Sequence, residues 1–229
     1  MKQRYFIEIA YNGKNYHGWQ VQPNAISVQE VLNDCLTKLL GEETHVVGAG
    51  RTDTGVHAKQ LFAHFDLAKK VKNVSQFLKR LNSFLPKDIA AMSLLEVGKD
   101  AHARFDAISR TYEYFVTQHK NPFHHNLAYH IHKPINLYAM NQAAKLLFEF
   151  KDFTSFSKSD TQTKTNNCKI IKANWKERKG LLVFTITADR FLRNMVRAIV
   201  GTLLEVGFGK MTEEDFIKVI KSKDRSEAG

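Results

Sequence analysis

Residues 4–11 read RYFIEIAY and residues 28–40 read VQEVLNDCLTKLL, and these two stretches decide the fold class. In the first, apolar and polar side chains alternate at period two, as on a strand with one buried face; in the second, apolar side chains recur at spacings of three and four, as on an amphipathic helix. Outward from them, the pattern predicts a short strand at 44–48, a strand at 60–67 (QLFAHFDL), a helix near 74–85 closed by Pro86, and a strand near 89–97. The order βαββαβ is that of the split βαβ, or ferredoxin-like, arrangement, in which two helices cover one face of an antiparallel sheet.

The second half repeats the order. RTYEYFVT at 110–117 reads as a strand, LYAMNQAAKLLFEF at 137–150 as a helix, and KIIKANWKE with LLVFTITA as a hairpin about Lys179 and Gly180. Two helices are expected at 189–206 and 213–221, after which DRSEAG offers no further strand. The expectation is an α+β chain of two pseudo-repeated ferredoxin-like halves, 1–104 and 105–229, the second lacking its last strand. A cleft between antiparallel sheets is the natural place for a ligand.

Lys and Arg number 34 against 23 Asp and Glu, a formal charge of +11. That excess favours a polyanion, which releases counterions when its phosphates are neutralised; a basic protein with no such partner is the alternative. No apolar run approaches the ~18–20 residues of a membrane span, and MKQRYFIEIAYNGK lacks the apolar stretch of a secretory signal, so a cytoplasmic protein is expected. Cys35 and Cys168 are too few for a disulfide scaffold and read as reduced packing residues, a thiolate nucleophile at Cys168 being the alternative. Ten histidines, among them His124, His125, His130 and His132, fit neither an HExxH nor a CxxC framework, so no metal is expected and the four read as a surface loop.

Between the strands ending near Val47 and beginning near Gln60 lies GAGRTDTGVHA, residues 48–58, too elaborate for a plain hairpin turn. Gly48 and Gly50 lack the third glycine of a phosphate cradle, and no GK[ST] follows. One carboxylate, Asp53, sits at the centre. Either it accepts backbone hydrogen bonds in an Asx-type turn, or it is held out for chemistry. Arg190, Arg193 and Arg197 are spaced by three and four, which predicts one helical face opposite Leu192, Met195, Val196, Ile199, Leu203 and Val206, with Asp189 as N-cap. Such a face is either solvated or turned to a ligand. Tyr112 and Tyr114 share one face of their strand, where a tyrosine either packs in the core or stacks on a base.

The run GAGRTDTGVHA resembles the signature loop of the tRNA pseudouridine synthase A family. YNGKNYHGWQ near the N-terminus, FDAISRTYEY at 105–114 and FLRNMVRAIVGTLLEVG at 191–207 agree with that family in the same order. The resemblance implies an enzyme that isomerises uridines 38–40 in the anticodon arm of tRNA, works as a homodimer and uses neither cofactor nor metal. It makes Asp53 the catalytic aspartate, Arg197 the arginine paired with it, Arg51 the arginine two residues before it, and Tyr112 the residue that stacks on the target uracil. Arg190, Arg193 and His57 are candidate RNA contacts, and His57 is alternatively a general acid or base. Two other readings compete: a noncatalytic RNA-binding module, for which the RNP1 pattern is missing, and a nucleosidase, which would ordinarily need a second carboxylate in the loop.

Overall fold

The computed structural model describes residues 2–158 and 164–229. The chain divides into two compact units, Met1–Ala107 and Ile108–Gly229, each with its own four-stranded sheet and core.

The N-terminal unit runs β1 (Gln3–Tyr11), α1 (Val28–Leu40), β2 (Val47–Gly48), β3 (Ala58–Leu67), α2 (Val74–Phe84) and β4 (Ile89–Val97). Its strands lie in the order β2-β3-β1-β4, every pair antiparallel. Tyr5, Ile7, Ile9 and Tyr11 alternate into the core, where they meet Val28, Leu32 and Leu36 of α1 and Leu81 of α2. Burying each aliphatic side chain is worth ~1.5–3 kcal/mol, enough to seat both helices on one face of the sheet. Helix α1 starts in a capping box, Ser27 with Glu30, and stops at Gly41. The strand expected at 44–48 is confined to Val47–Gly48: Thr44 and Val46 turn inward, and Val46 N–H is taken by the Asn33 side chain.

The C-terminal unit runs β5 (Arg110–Thr117), β6 (Tyr129–His130), α3 (Leu137–Leu146), β7 (Ile170–Arg178), β8 (Leu181–Ala188), α4 (Met195–Gly207) and α5 (Glu213–Ser222). The hairpin β7–β8 turns at Lys179 and Gly180, both left-handed with φ of 51° and 75°, the turn that matches strand twist. Phe184, Ile186, Met140, Leu203 and Phe216 lie at the centre of the core.

The structure departs from the expectations at several places. No strand follows α5 among the described residues, yet the second sheet has four strands, in the order β6-β5-β8-β7. Strand β6 precedes α3 and pairs parallel with β5 through Val116–Tyr129 and Thr117–His130, so it occupies the place that β4 holds in the first sheet. His130 therefore belongs to a strand, and His124 to a one-turn 3₁₀ segment, Pro122–His124. The helix expected over 137–150 ends at Leu146 and tightens into a 3₁₀ turn. The helix expected from Asp189 begins at Met195, because Asn194 adopts a left-handed conformation, φ 66°, that breaks helical continuity.

Candidate active site

The loop between β2 and β3 is fastened along its backbone by the segment just after β1. Trp19 N–H donates to the Thr52 carbonyl at 3.2 Å and Gly55 N–H to the Tyr16 carbonyl at 3.2 Å. The hydroxyls of Tyr11 and Thr52 lie 2.9 Å apart, and Gly13 N–H donates to His57 Nδ1 at 2.9 Å. Two glycines permit this approach. A Cβ on Gly13 would run into the Val56 carbonyl oxygen, and one on Gly18 would run into that of Thr52, with φ at +86° besides. YNGKNYHGW and GRTDTGVH thus form one structure, although 41 residues separate Tyr11 from Thr52. The supporting segment is itself tied down: Tyr16 hydroxyl donates to Asp88 at 2.7 Å, and Val28 and Gln29 at the start of α1 donate to the carbonyls of Gly18 and Trp19. Burial and the Asp88 carboxylate raise the Tyr16 hydroxyl pKa well above its ordinary value, keeping it a proton donor.

Asp53 sits at the tip of this loop, exposed. Its backbone carbonyl accepts from Val56 N–H at 3.2 Å, closing a tight turn with Gly55 at φ 78°. Among the described residues of this unit, no hydrogen bond engages its carboxylate, so the Asx-turn reading does not describe this loop. Arg51 is exposed beside it. His57 is half-buried with Nδ1 as an acceptor, which leaves the ring's proton on Nε2.

Tyr112, Arg190, Arg193 and Arg197 lie in the C-terminal unit. Tyr112 is half-buried on β5 opposite Ile186, with Phe191 edge-on to its ring at 5.0 Å and 84°. Tyr114, also half-buried, has its hydroxyl pKa raised by burial, and the positive charge of Arg197 opposes the rise. Arg197 is exposed in the first turn of α4. Arg190 and Arg193 are not on that helix. They lie in the 189–194 segment, so the expected single helical face of three arginines is not formed. Asp189 is not an N-cap; its Oδ1 accepts from Lys169 N–H at 2.8 Å and Arg190 N–H at 2.7 Å.

Cys168 is buried and its thiol is pushed up to about 11 by desolvation, which removes it as a thiolate nucleophile. Cys35 is likewise buried and raised. The rings of His130 and His132 meet at 4.3 Å, and among the described residues no three His, Cys, Asp or Glu side chains are grouped to hold a metal ion.

What the sequence did not reveal was the support of the loop by Tyr11, Gly13, Tyr16, Gly18 and Trp19. The signals for it were the motif YNGKNYHGWQ as a whole and its two glycines, two and seven residues past the end of β1.

The loop between β2 and β3 thus holds one exposed carboxylate, Asp53, on a backbone tied to the 11–19 segment, and the class of protein comes from comparison with known proteins. A family model described as tRNA pseudouridine synthase matches residues 8–106 and 143–229. Three similar proteins carry the name tRNA pseudouridine synthase A. The one from Bacteroides fragilis is 54% identical over 228 residues, covering 99% of this chain and 90% of that protein. The one from Parabacteroides distasonis is 53% identical over 227 residues, with the same coverages. That of Thermoanaerobacter pseudethanolicus is 39% identical over 225 residues, covering 97% of this chain and 92% of its own length. The chain belongs to the tRNA pseudouridine synthase family, a family of isomerases. Among the described residues no helix is long and apolar enough to cross a membrane.

Proposed function

We propose that this protein converts uridines 38–40 in the anticodon arm of tRNA to pseudouridine, with Asp53 as nucleophile. The observation that carries the reading is the loop itself: it is held by four contacts from the 11–19 segment, two to its backbone and two to the side chains of Thr52 and His57, while the Asp53 carboxylate stays exposed. The reaction breaks the N1–C1′ bond, turns the uracil and joins C5 to C1′, with the C5 proton lost and N1 protonated. A fixed carboxylate serves this by attack on uracil C6 or by assistance at ribose C1′, and holds the intermediate while the base turns.

The other residues follow the resemblance. By that resemblance Arg197 is the arginine that pairs with Asp53, a planar guanidinium being suited to a carboxylate. Tyr112 stacks on the extruded uracil, where an aromatic face is worth ~1–3 kcal/mol against the cost of unstacking. Arg51, Arg190, Arg193 and His57 contact RNA. The enzyme acts as a homodimer in the cytoplasm and needs no cofactor. The net charge of +11 suits a polyanionic substrate.

Incubation with an unmodified tRNA transcript, followed by nucleoside analysis, tests the reading. Pseudouridine is the expected product. Unchanged bound RNA would mark a binding module, and free uracil a nucleosidase.

A further inference from the structure

The last ten residues of the N-terminal unit fold back on the face of the sheet opposite its helices, and what they build there has no part in the catalytic loop. His64 on β3, paired across the sheet with Phe6, is buried. The His102 ring meets it edge-on at 4.5 Å and 62°, and Phe105 lies over His102 at 4.2 Å and 32°. These three rings form a column rising from the sheet, and its outermost member, Phe105, is 74% exposed.

The column is locked by hydrogen bonds. Ala103 N–H donates to His64 Nδ1 at 3.2 Å, and Arg104 and Phe105 N–H donate to His102 Nδ1 at 3.2 and 3.3 Å. Asp106 accepts from His102 N–H at 2.7 Å, and Arg4 donates to the Ala101 carbonyl at 3.0 Å. Phe105 is therefore presented in one orientation, with one face backed by an imidazole and the Arg104 guanidinium 5.8 Å from its centroid.

We propose that Phe105 is a stacking platform for an unpaired base of the RNA substrate, the base extending the His64–His102–Phe105 column by one ring. This rests on the tRNA reading of the protein. A preoriented aromatic face beside a guanidinium is the arrangement by which proteins hold unstacked bases, and ordering it in advance removes that cost from binding. His64 and His102 are positioning residues.

The test measures the dissociation constant of the full-length protein for an unmodified tRNA transcript, with Phe105→Ala, Phe105→Leu and Phe105→Trp beside the wild type. Loss of one stacked base is expected to weaken binding about ten-fold in the Ala and Leu variants. Phe105→Trp keeps wild-type affinity, and all variants keep the wild-type dependence on salt because no phosphate contact is lost. Wild-type affinity in Phe105→Ala, rescue by Leu, or a changed association state in place of changed RNA affinity would overturn the platform, the last result assigning Phe105 to a contact between copies. A wild-type protein that binds the transcript but forms no pseudouridine would count against the catalytic reading alone, since affinity and not turnover is the readout here.

Discussion

Asp53 and Asp189 are both loop aspartates next to a strand of their unit's sheet, and the structure uses them in opposite ways. Asp189 spends its carboxylate on the backbone, accepting from Lys169 and Arg190 N–H, and so pins the segment that leads to α4. Asp53 closes its turn with a backbone carbonyl, and the fastening of its loop is done by Trp19, Tyr16, Tyr11 and Gly13. A carboxylate relieved of structural work is available for chemistry. The comparison teaches that the conformation of the 48–57 loop depends on residues outside it.

The largest expected effect separates the two aspartates outright. Asp53→Asn removes the proposed nucleophile and should reduce pseudouridine formation to the uncatalysed background, with thermal stability and most tRNA affinity retained. Near-normal turnover in the purified variant would end the assignment of Asp53.

Next is the support beneath the loop. Gly18→Ala places a Cβ against the Thr52 carbonyl at a φ of +86°, and should destabilise the N-terminal unit by ~1–3 kcal/mol while lowering kcat more than tRNA affinity. Chemical denaturation with parallel kinetics checks this, and unchanged kcat would mean that loop geometry does not limit the reaction.

Asp189→Ala should show the reverse of Asp53→Asn. It leaves two backbone N–H groups without their acceptor, at a cost of ~1–2 kcal/mol in stability, moderated by the exposure of the site. A larger loss of activity than of stability would show that the 189–194 segment has a catalytic part of its own.

The smallest effect is a dependence on pH. Burial holds the His64 imidazole below its ordinary pKa, with Arg4 and His102 adding to the effect and Asp66 and Asp106 opposing it. Below the usual histidine value of ~6.5 the unfolded chain takes up a proton that the folded one resists. The stability linked to His64 is therefore complete above that pH and lost as pH falls through it to the folded value. Thermal midpoints between neutral and mildly acid pH should fall less steeply in His64→Gln; equal slopes would exclude His64 as the source.

Much of this fold was legible because local pattern and burial agree. Residues 4–11 alternate, and they alternate into the core; residues 28–40 have helical spacing and form α1. The hairpin at Lys179–Gly180 was visible in its turn residues. Strand β6 was not, since two residues carry no period. The start of α4 was misread because three arginines at helical spacing do not reveal that Asn194 is left-handed. At the site, Asp53 stood out by its glycine- and threonine-rich surroundings, whereas the contacts of Trp19 and Tyr16 with the loop are long-range backbone bonds that no local pattern encodes.

Position-resolved mapping of pseudouridine in an unmodified tRNA transcript, after incubation with the wild-type protein, tests the central claim most directly. The account predicts modification at uridines 38–40 and at no other uridine. Pseudouridine confined to positions outside the anticodon arm, or none at all from a folded protein that binds the transcript, would contradict it.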